Sequence, residues 1–125
     1  MRDEEIERKI AAFPRWHYEF DLRGHRTPIF RRAHAARHRQ RQRYFFEPLV
    51  RLFGGSLEGK RVLDLGCNAG FWSLLSVEAG CEYVLGIDGR RMHVEQANFV
   101  FQVRGVERSR YEFLEANLFD LDSAR

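Results

Sequence analysis

The chain has 125 residues, of which 44% are hydrophobic and 14% aromatic, a composition that suits one domain with a buried core and argues against wholesale disorder. No apolar run approaches the ~20 residues of a membrane-spanning helix, and the polar start MRDEEIERKI does not resemble a secretory signal. The two cysteines, Cys67 and Cys81, exclude a disulfide scaffold and a four-cysteine zinc site, so a cytoplasmic location is expected. The net charge of +3 is unevenly spread: residues 1–53 hold 13 Lys+Arg against 7 Asp+Glu, and residues 54–125 hold 8 against 11.

Residues 3–12 read as a short helix that Asp3 can cap, with acids in its first turn and Arg8 and Lys9 near its end. Pro14 stops it. Residues 15–22, RWHYEFDL, fit a strand or an extended arm, and Gly24 and Thr27-Pro28 mark a loop. Residues 29–46 are rich in Ala, Arg and Gln and favour helix. Pro48 fits the first turn of a second helix, 48–53, or a kink in a continuous one, and Gly54-Gly55 ends it.

From residue 60 the pattern changes. Residues 61–65 form a short apolar run, followed by the turn Gly66-Cys67-Asn68-Ala69-Gly70. Phe71, Leu74, Leu75 and Val77 then give a helical face that Gly80 closes. Residues 83–88 read as a second strand, 90–103 as a helix ending at Gly105, and 111–116 as a third strand. The predicted fold class is therefore α/β: a βαβαβ unit with a parallel sheet, preceded by a helical and aromatic extension. The boundary is expected near residue 56, giving an extension of 1–56 and a βαβαβ unit of 57–125.

A small-residue turn between a first strand and its helix lets a ligand approach the backbone and meet free N–H groups at the helix start. An acid at the tip of the second strand can accept from both hydroxyls of a ribose. Asp88 lies 22 residues after Gly66, close to the ~20 of a nucleotide-binding βαβ unit, and this combination points to an adenosine-type ligand. A dinucleotide fingerprint needs three glycines, but Asn68 and Phe71 stand at the second and third positions. A nicotinamide oxidoreductase is therefore disfavoured. No phosphate-binding P-loop sequence occurs.

Residues 62–70, Val-Leu-Asp-Leu-Gly-Cys-Asn-Ala-Gly, resemble motif I of the class I S-adenosylmethionine-dependent methyltransferases. Gly86-Ile87-Asp88 resembles the acidic end of their second strand, and residues 114–118 the end of their third. More weakly, residues 13–18 with Thr27-Pro28 resemble the group related to tRNA wobble-uridine (carboxy)methyltransferases. The resemblance implies a Rossmann-like sheet, S-adenosyl-L-methionine as cofactor, and methyl transfer to a small molecule or RNA. It implies that Asp64 with Gly66, Cys67, Asn68 and Gly70 holds the methionine portion. Asp88, followed by Gly89, would bind the ribose, and Asn117 with Leu118 would flank the adenine. Asn68 replaces the family's middle glycine, and Asn tolerates left-handed backbone angles.

The family's sheet continues past a third strand, and its fourth strand and following loop usually line the acceptor pocket. Neither has a counterpart in residues 1–125. The first strand would then be an open edge, which the N-terminal segment covers, an oligomer completes, or a longer chain completes; the last is favoured. A non-catalytic cofactor- or RNA-binding module is the alternative to an enzyme.

Plainer readings stand beside these. Asp64 could be a capped structural acid, Asp88 a turn residue, and Asn117 a turn cap with Glu115 in its place. Cys67 reads as a turn filler rather than a nucleophile. His34 and His38 share a helix face but do not make a metal site alone. Residues 31–43 hold six Arg and no acid; they form either a solvated helix or a phosphate-binding surface for RNA. Trp16, His17, Tyr18 and His25 could form a lid or pack the arm, and His17 is the one named candidate for a general base.

Overall fold

The computed structural model describes residues 1–122. Asp3, Glu4 and Glu5 fill the first turn of α1 (Asp3–Ala12), with Lys9 in its last, as the helix dipole favours. The expected cap differs: Arg2 holds the N-cap position without a side-chain bond, and Asp3 lies inside the helix facing Arg23 and His25 at 3.6 and 3.5 Å. Ile6 and Ile10, four residues apart, form its buried stripe.

The aromatic arm is not a long strand. Regular strand pairing in it is limited to β1 (Asp21–Leu22) and β2 (His25–Arg26), antiparallel about Arg23 and Gly24 at φ 59° and 90°, with one isolated parallel bridge between Trp16 and Ile29. Ahead of them the Thr27 hydroxyl replaces a strand partner, accepting from Phe20 N–H and donating to Tyr18 O, both at 2.8 Å. Trp16 is buried and donates from Nε1 to Ile10 O at 3.1 Å.

The chain then stays helical through α2 (Arg32–Arg41), a π-helical turn (Gln42–Phe46) and α3 (Glu47–Leu52), with Pro48 inside this continuous run, where it removes one N–H from the ladder just after the π-helical turn. Gly54 and Gly55, at φ 90° and 93°, end it. Ala35 and His38 form the buried side of α2. The His38 ring lies on Tyr18 at 4.0 Å between centroids, and Tyr18 on Phe71 at 4.9 Å. Burial, reinforced by Arg41, pushes His38 down to about 4.

Strands β3 (Arg61–Leu65), β4 (Tyr83–Asp88) and β5 (Tyr111–Glu115) form a parallel sheet in that order. Arg61 pairs with Tyr83 and Leu65 with Ile87; Val84 pairs with Tyr111 and Asp88 with Glu115. Two helices, α4 (Phe71–Glu78) and α5 (Arg91–Val103), connect the strands, so the expected βαβαβ order and Rossmann-like class are present. Val84, Tyr111 and Phe113 are buried with Leu74, Val100 and Phe101 in one core. Gly86 is required there by close approach: a Cβ on it would stand 2.5 Å from Phe113 Cδ1.

The extension shares this core. Phe13 and Trp16 meet Phe99 at 6.1 and 6.4 Å, and Gln96 Nε2 donates to Arg15 O at 2.7 Å. These contacts place the arm over α5, not along β3. Among the described residues β3 has a strand neighbour on one side only, and Leu63 and Leu65 are 57% and 53% exposed. No described helix is long and apolar enough to cross a membrane.

Two outcomes test this packing. Gly86→Ala should lower stability by about 1–3 kcal/mol through overpacking against Phe113, read as a shifted urea midpoint. His38 has a lowered folded pKa, so the unfolded chain gains the proton first as pH falls. Stability that is present above pH 6.5 is therefore lost between about 6.5 and 4. In His38→Phe this part of the slope should vanish; parallel Tm–pH curves for both proteins would reject the assignment.

Candidate functional site

β3 delivers the chain into the turn 66–70 at the carboxyl end of the sheet. Gly66, Asn68 and Gly70 adopt φ of 72°, 52° and 83°, so Asn68 takes the left-handed conformation expected of a middle glycine. Its side-chain Oδ1 accepts Ala69 N–H at 2.7 Å. The N–H groups of the turn itself are occupied. Gly66 and Cys67 N–H both donate to Ile87 O, Gly70 N–H donates to Cys67 O, and Asn68 N–H donates to Asp88 Oδ2 at 2.9 Å. The turn is closed on itself and on the end of β4. A Cβ at Gly66 would meet nothing within 4 Å, so the backbone there faces open space.

Asp88 sits at the last position of β4 and is 9% exposed. Besides Asn68 N–H it accepts Arg90 N–H at Oδ1, 2.9 Å, and Oδ1 lies 3.1 Å from His93 Nδ1. A carboxylate only accepts, so Nδ1 is the donor in this contact. His93 Nε2 is buried with no hydrogen-bond partner. Such a buried polar atom is costly to leave unpaired. Sequence reasoning missed His93. Its signal was its place five residues after Asp88, on the inward stripe of α5 with Gln96, Ala97 and Val100.

Asp64 points to the start of α4. Its Oδ2 accepts from the Ser73 hydroxyl at 2.6 Å, and the Ser73 backbone also bonds the carboxylate. Burial pushes the Asp64 carboxyl up, and these bonds to Ser73 oppose the shift. The acid is thus tied to the first turn of α4, and it also lines a cavity of about 370 Å³ with Arg41, Phe45, Phe46 and Trp72. Cys67 is buried, and burial raises its thiol to about 12, which removes it as a nucleophile. Cys81 is buried too.

Asn117 and Leu118 follow β5 at the same end of the sheet. Asn117 Oδ1 accepts Phe119 N–H at 3.0 Å and caps the short 3-10 turn Leu118–Asp120, and Leu118 is 46% exposed. A Cβ at Gly89 would lie 3.9 Å from Ala116 O, so Gly89 lies beside the chain leaving β5. Of the aromatic arm, Trp16 and Tyr18 pack inward, and His25 pairs with Asp3 and Glu7 on α1. His17 stands edge-on to His93 at 5.5 Å. Its pKa is lowered, first by burial and then by His93, Arg15, Arg90 and His34. Among the described residues no group of three or more His, Cys, Asp or Glu could hold a metal ion.

Comparison with known proteins agrees with this geometry. A family model described as "Methyltransferase domain" matches residues 37–121. Two curated Methanocaldococcus jannaschii proteins match, each named "Putative ribosomal RNA large subunit methyltransferase". One is 28% identical over 104 residues, covering 83% of this chain and 24% of the relative. The other is 36% identical over 62 residues, 50% of this chain and 16% of the relative. Among solved structures, the N-terminal domain of EvdMO1 with SAH bound aligns at TM-score 0.74 and 25% identity, over 99% of this chain and 50% of that one. The same domain with SAH and D-fucose aligns at TM-score 0.72 and 26% identity, over 99% and 48%. The chain thus spans about a quarter or less of the curated relatives and about half of the EvdMO1 domain. S-adenosyl-L-methionine is the cofactor of this group, and by family model, topology and motif the chain belongs to the class I S-adenosylmethionine-dependent methyltransferases.

Proposed function

We propose that residues 57–125 hold S-adenosyl-L-methionine for methyl transfer, and that residues 1–56 cover the cofactor and shape the acceptor side; residues 123–125 of this unit lie outside the described residues. The observation that carries the reading is the joint between Asn68 N–H and Asp88 Oδ2. It holds the turn and the acid together at the carboxyl end of the sheet, where ligands of such folds bind. A ribose brings two hydroxyl donors. The uncommitted lone pair of Asp88 is an acceptor for one of them, and the unpartnered Nε2 of His93 is a second polar atom beside it.

Asp64 and the open backbone at Gly66 would face the methionine portion, with Cys67, Asn68 and Gly70 fixing the turn. Gly89, Asn117 and Leu118 would lie by the adenine. The cofactor supplies a methyl group made electrophilic by its sulfonium. The protein positions it and excludes water, and a base is needed only where the acceptor must lose a proton. A third glycine would let the helix pack closely on its strand in a dinucleotide site; Phe71 stands there instead and stacks on Tyr18, which supports an adenosyl ligand over NAD. The curated relatives are named for ribosomal RNA, and a related domain was crystallised with D-fucose. RNA and sugar are therefore the acceptor classes to test.

Calorimetry with S-adenosylhomocysteine is the direct test. Binding should appear, NAD should give none, and Asp88→Asn should weaken S-adenosylhomocysteine roughly tenfold to a hundredfold by removing charge-assisted hydrogen bonds. Binding of NAD alone, or unchanged affinity in the variant, would overturn the reading. Asn68→Gly should keep affinity and folding, since either residue adopts the positive φ, whereas Asn68→Val should lower Tm.

A further inference from the structure

The methyltransferase reading leaves a group of side chains on α2 and its flanks unused. Phe30, just ahead of α2, is 49% exposed. Arg15 Cζ lies 4.5 Å and Arg31 Cζ 5.5 Å from its ring centroid, with His17 at 6.3 Å. At the other end, in the π-helical turn, Tyr44 is 67% exposed and Arg43 Cζ stands 5.5 Å from its ring. Between these two platforms Arg37 and Arg39 are exposed on opposite flanks of the outer side of α2, and Arg41, which also lines the Asp64 cavity, is exposed beside Arg37. Among the described residues no carboxylate lies within salt-bridge distance of Arg15, Arg31, Arg37, Arg39, Arg41 or Arg43, whereas Arg26 and Arg32 share Glu19. At the helical rise the platforms are about 20 Å apart.

Position adds a second argument. The inward side of α2 rests through His38 and Tyr18 on Phe71, the residue that follows the turn 66–70. A strand lying along the outer side of α2 is therefore held over the cofactor end of the sheet. Charge alone would suit any polyanion. Exposed rings paired with guanidiniums at both ends suit unstacked bases, which stack on aromatic faces and arginine planes while phosphates meet the intervening charge. An acidic polypeptide offers no ring to those platforms, and bases within a duplex are already stacked.

We infer that α2 and its flanking residues Phe30 and Tyr44 are the docking surface for a single-stranded RNA segment, which makes RNA the acceptor class of the site proposed above. This rests on that methyltransferase reading for its meaning, but it can be measured separately. The probe is a labelled 12-nucleotide single-stranded RNA, followed by fluorescence anisotropy on the full chain at two salt concentrations. Arg37→Gln with Arg39→Gln should weaken binding at least tenfold and lower the salt slope by about 1 to 1.5. Phe30→Ala should weaken it severalfold with the salt slope unchanged. The thermal shift given by S-adenosylhomocysteine should stay the same in both variants. Equal RNA binding by wild type and variants, equal affinity for a duplex, or displacement by polyglutamate as effective as by RNA would each overturn the inference. RNA binding that the variants lose, in a chain with no S-adenosylhomocysteine shift, would uphold this surface and sink the cofactor reading instead.

Discussion

The architecture of the site depends on one carboxylate. Asp88 accepts from the backbone of Asn68 on one side and of Arg90 on the other, and orients His93 on α5. Three separate pieces of chain, the turn after β3, the end of β4 and the first turn of α5, are thereby held by one side chain. An ionised acceptor bonds more strongly than a neutral one, and partial burial protects those bonds from water. The Gly-rich turn is then a preformed wall whose amides are already occupied, so that recognition falls to open backbone at Gly66 and to acceptors at its rim.

The extension is built into the same core. Trp16, Phe20 and Leu22 are buried with the residues that line the sheet, and Gln96 reaches out of α5 to fix the backbone of Arg15. Aromatic surface dominates this contact, as expected where large rings bury much area per residue. The stack of His38, Tyr18 and Phe71 carries α2 on the start of α4. Any ligand held by α4 and any partner held by α2 therefore meet through three rings.

What was legible in the sequence was what local chemistry decides. The strands at 61–65 and 83–88, the glycines closing helices, and Asn68 in a left-handed turn all follow from residue type and spacing, and the structure repeats them. The arm was not legible, because Thr27 satisfies Phe20 and Tyr18 from across a loop and no periodicity records that. Asp3 was taken for a cap since its type suits the role, yet Arg23 and His25 draw it elsewhere. Nor does spacing show that Ile87 and Asp88 claim the amides of Gly66, Cys67 and Asn68 from a strand more than 15 residues away in sequence. His93 stayed hidden for the same reason: its meaning lies in a partner that only the fold brings near.

The π-helical turn at Gln42–Phe46 carries a consequence for the phase of the helix. It inserts about one residue relative to regular α-helix, so the side chains of α3 are rotated about 100° from where the register of α2 would put them. That rotation brings Phe46 against Trp72 at 6.2 Å and leaves Val50 packed on the core, while Arg39 and Arg43 remain on the outside. The wide turn thus works as a phase shifter. One continuous rod shows arginine to solvent along its first half and turns Phe46 and Val50 toward α4 along its second.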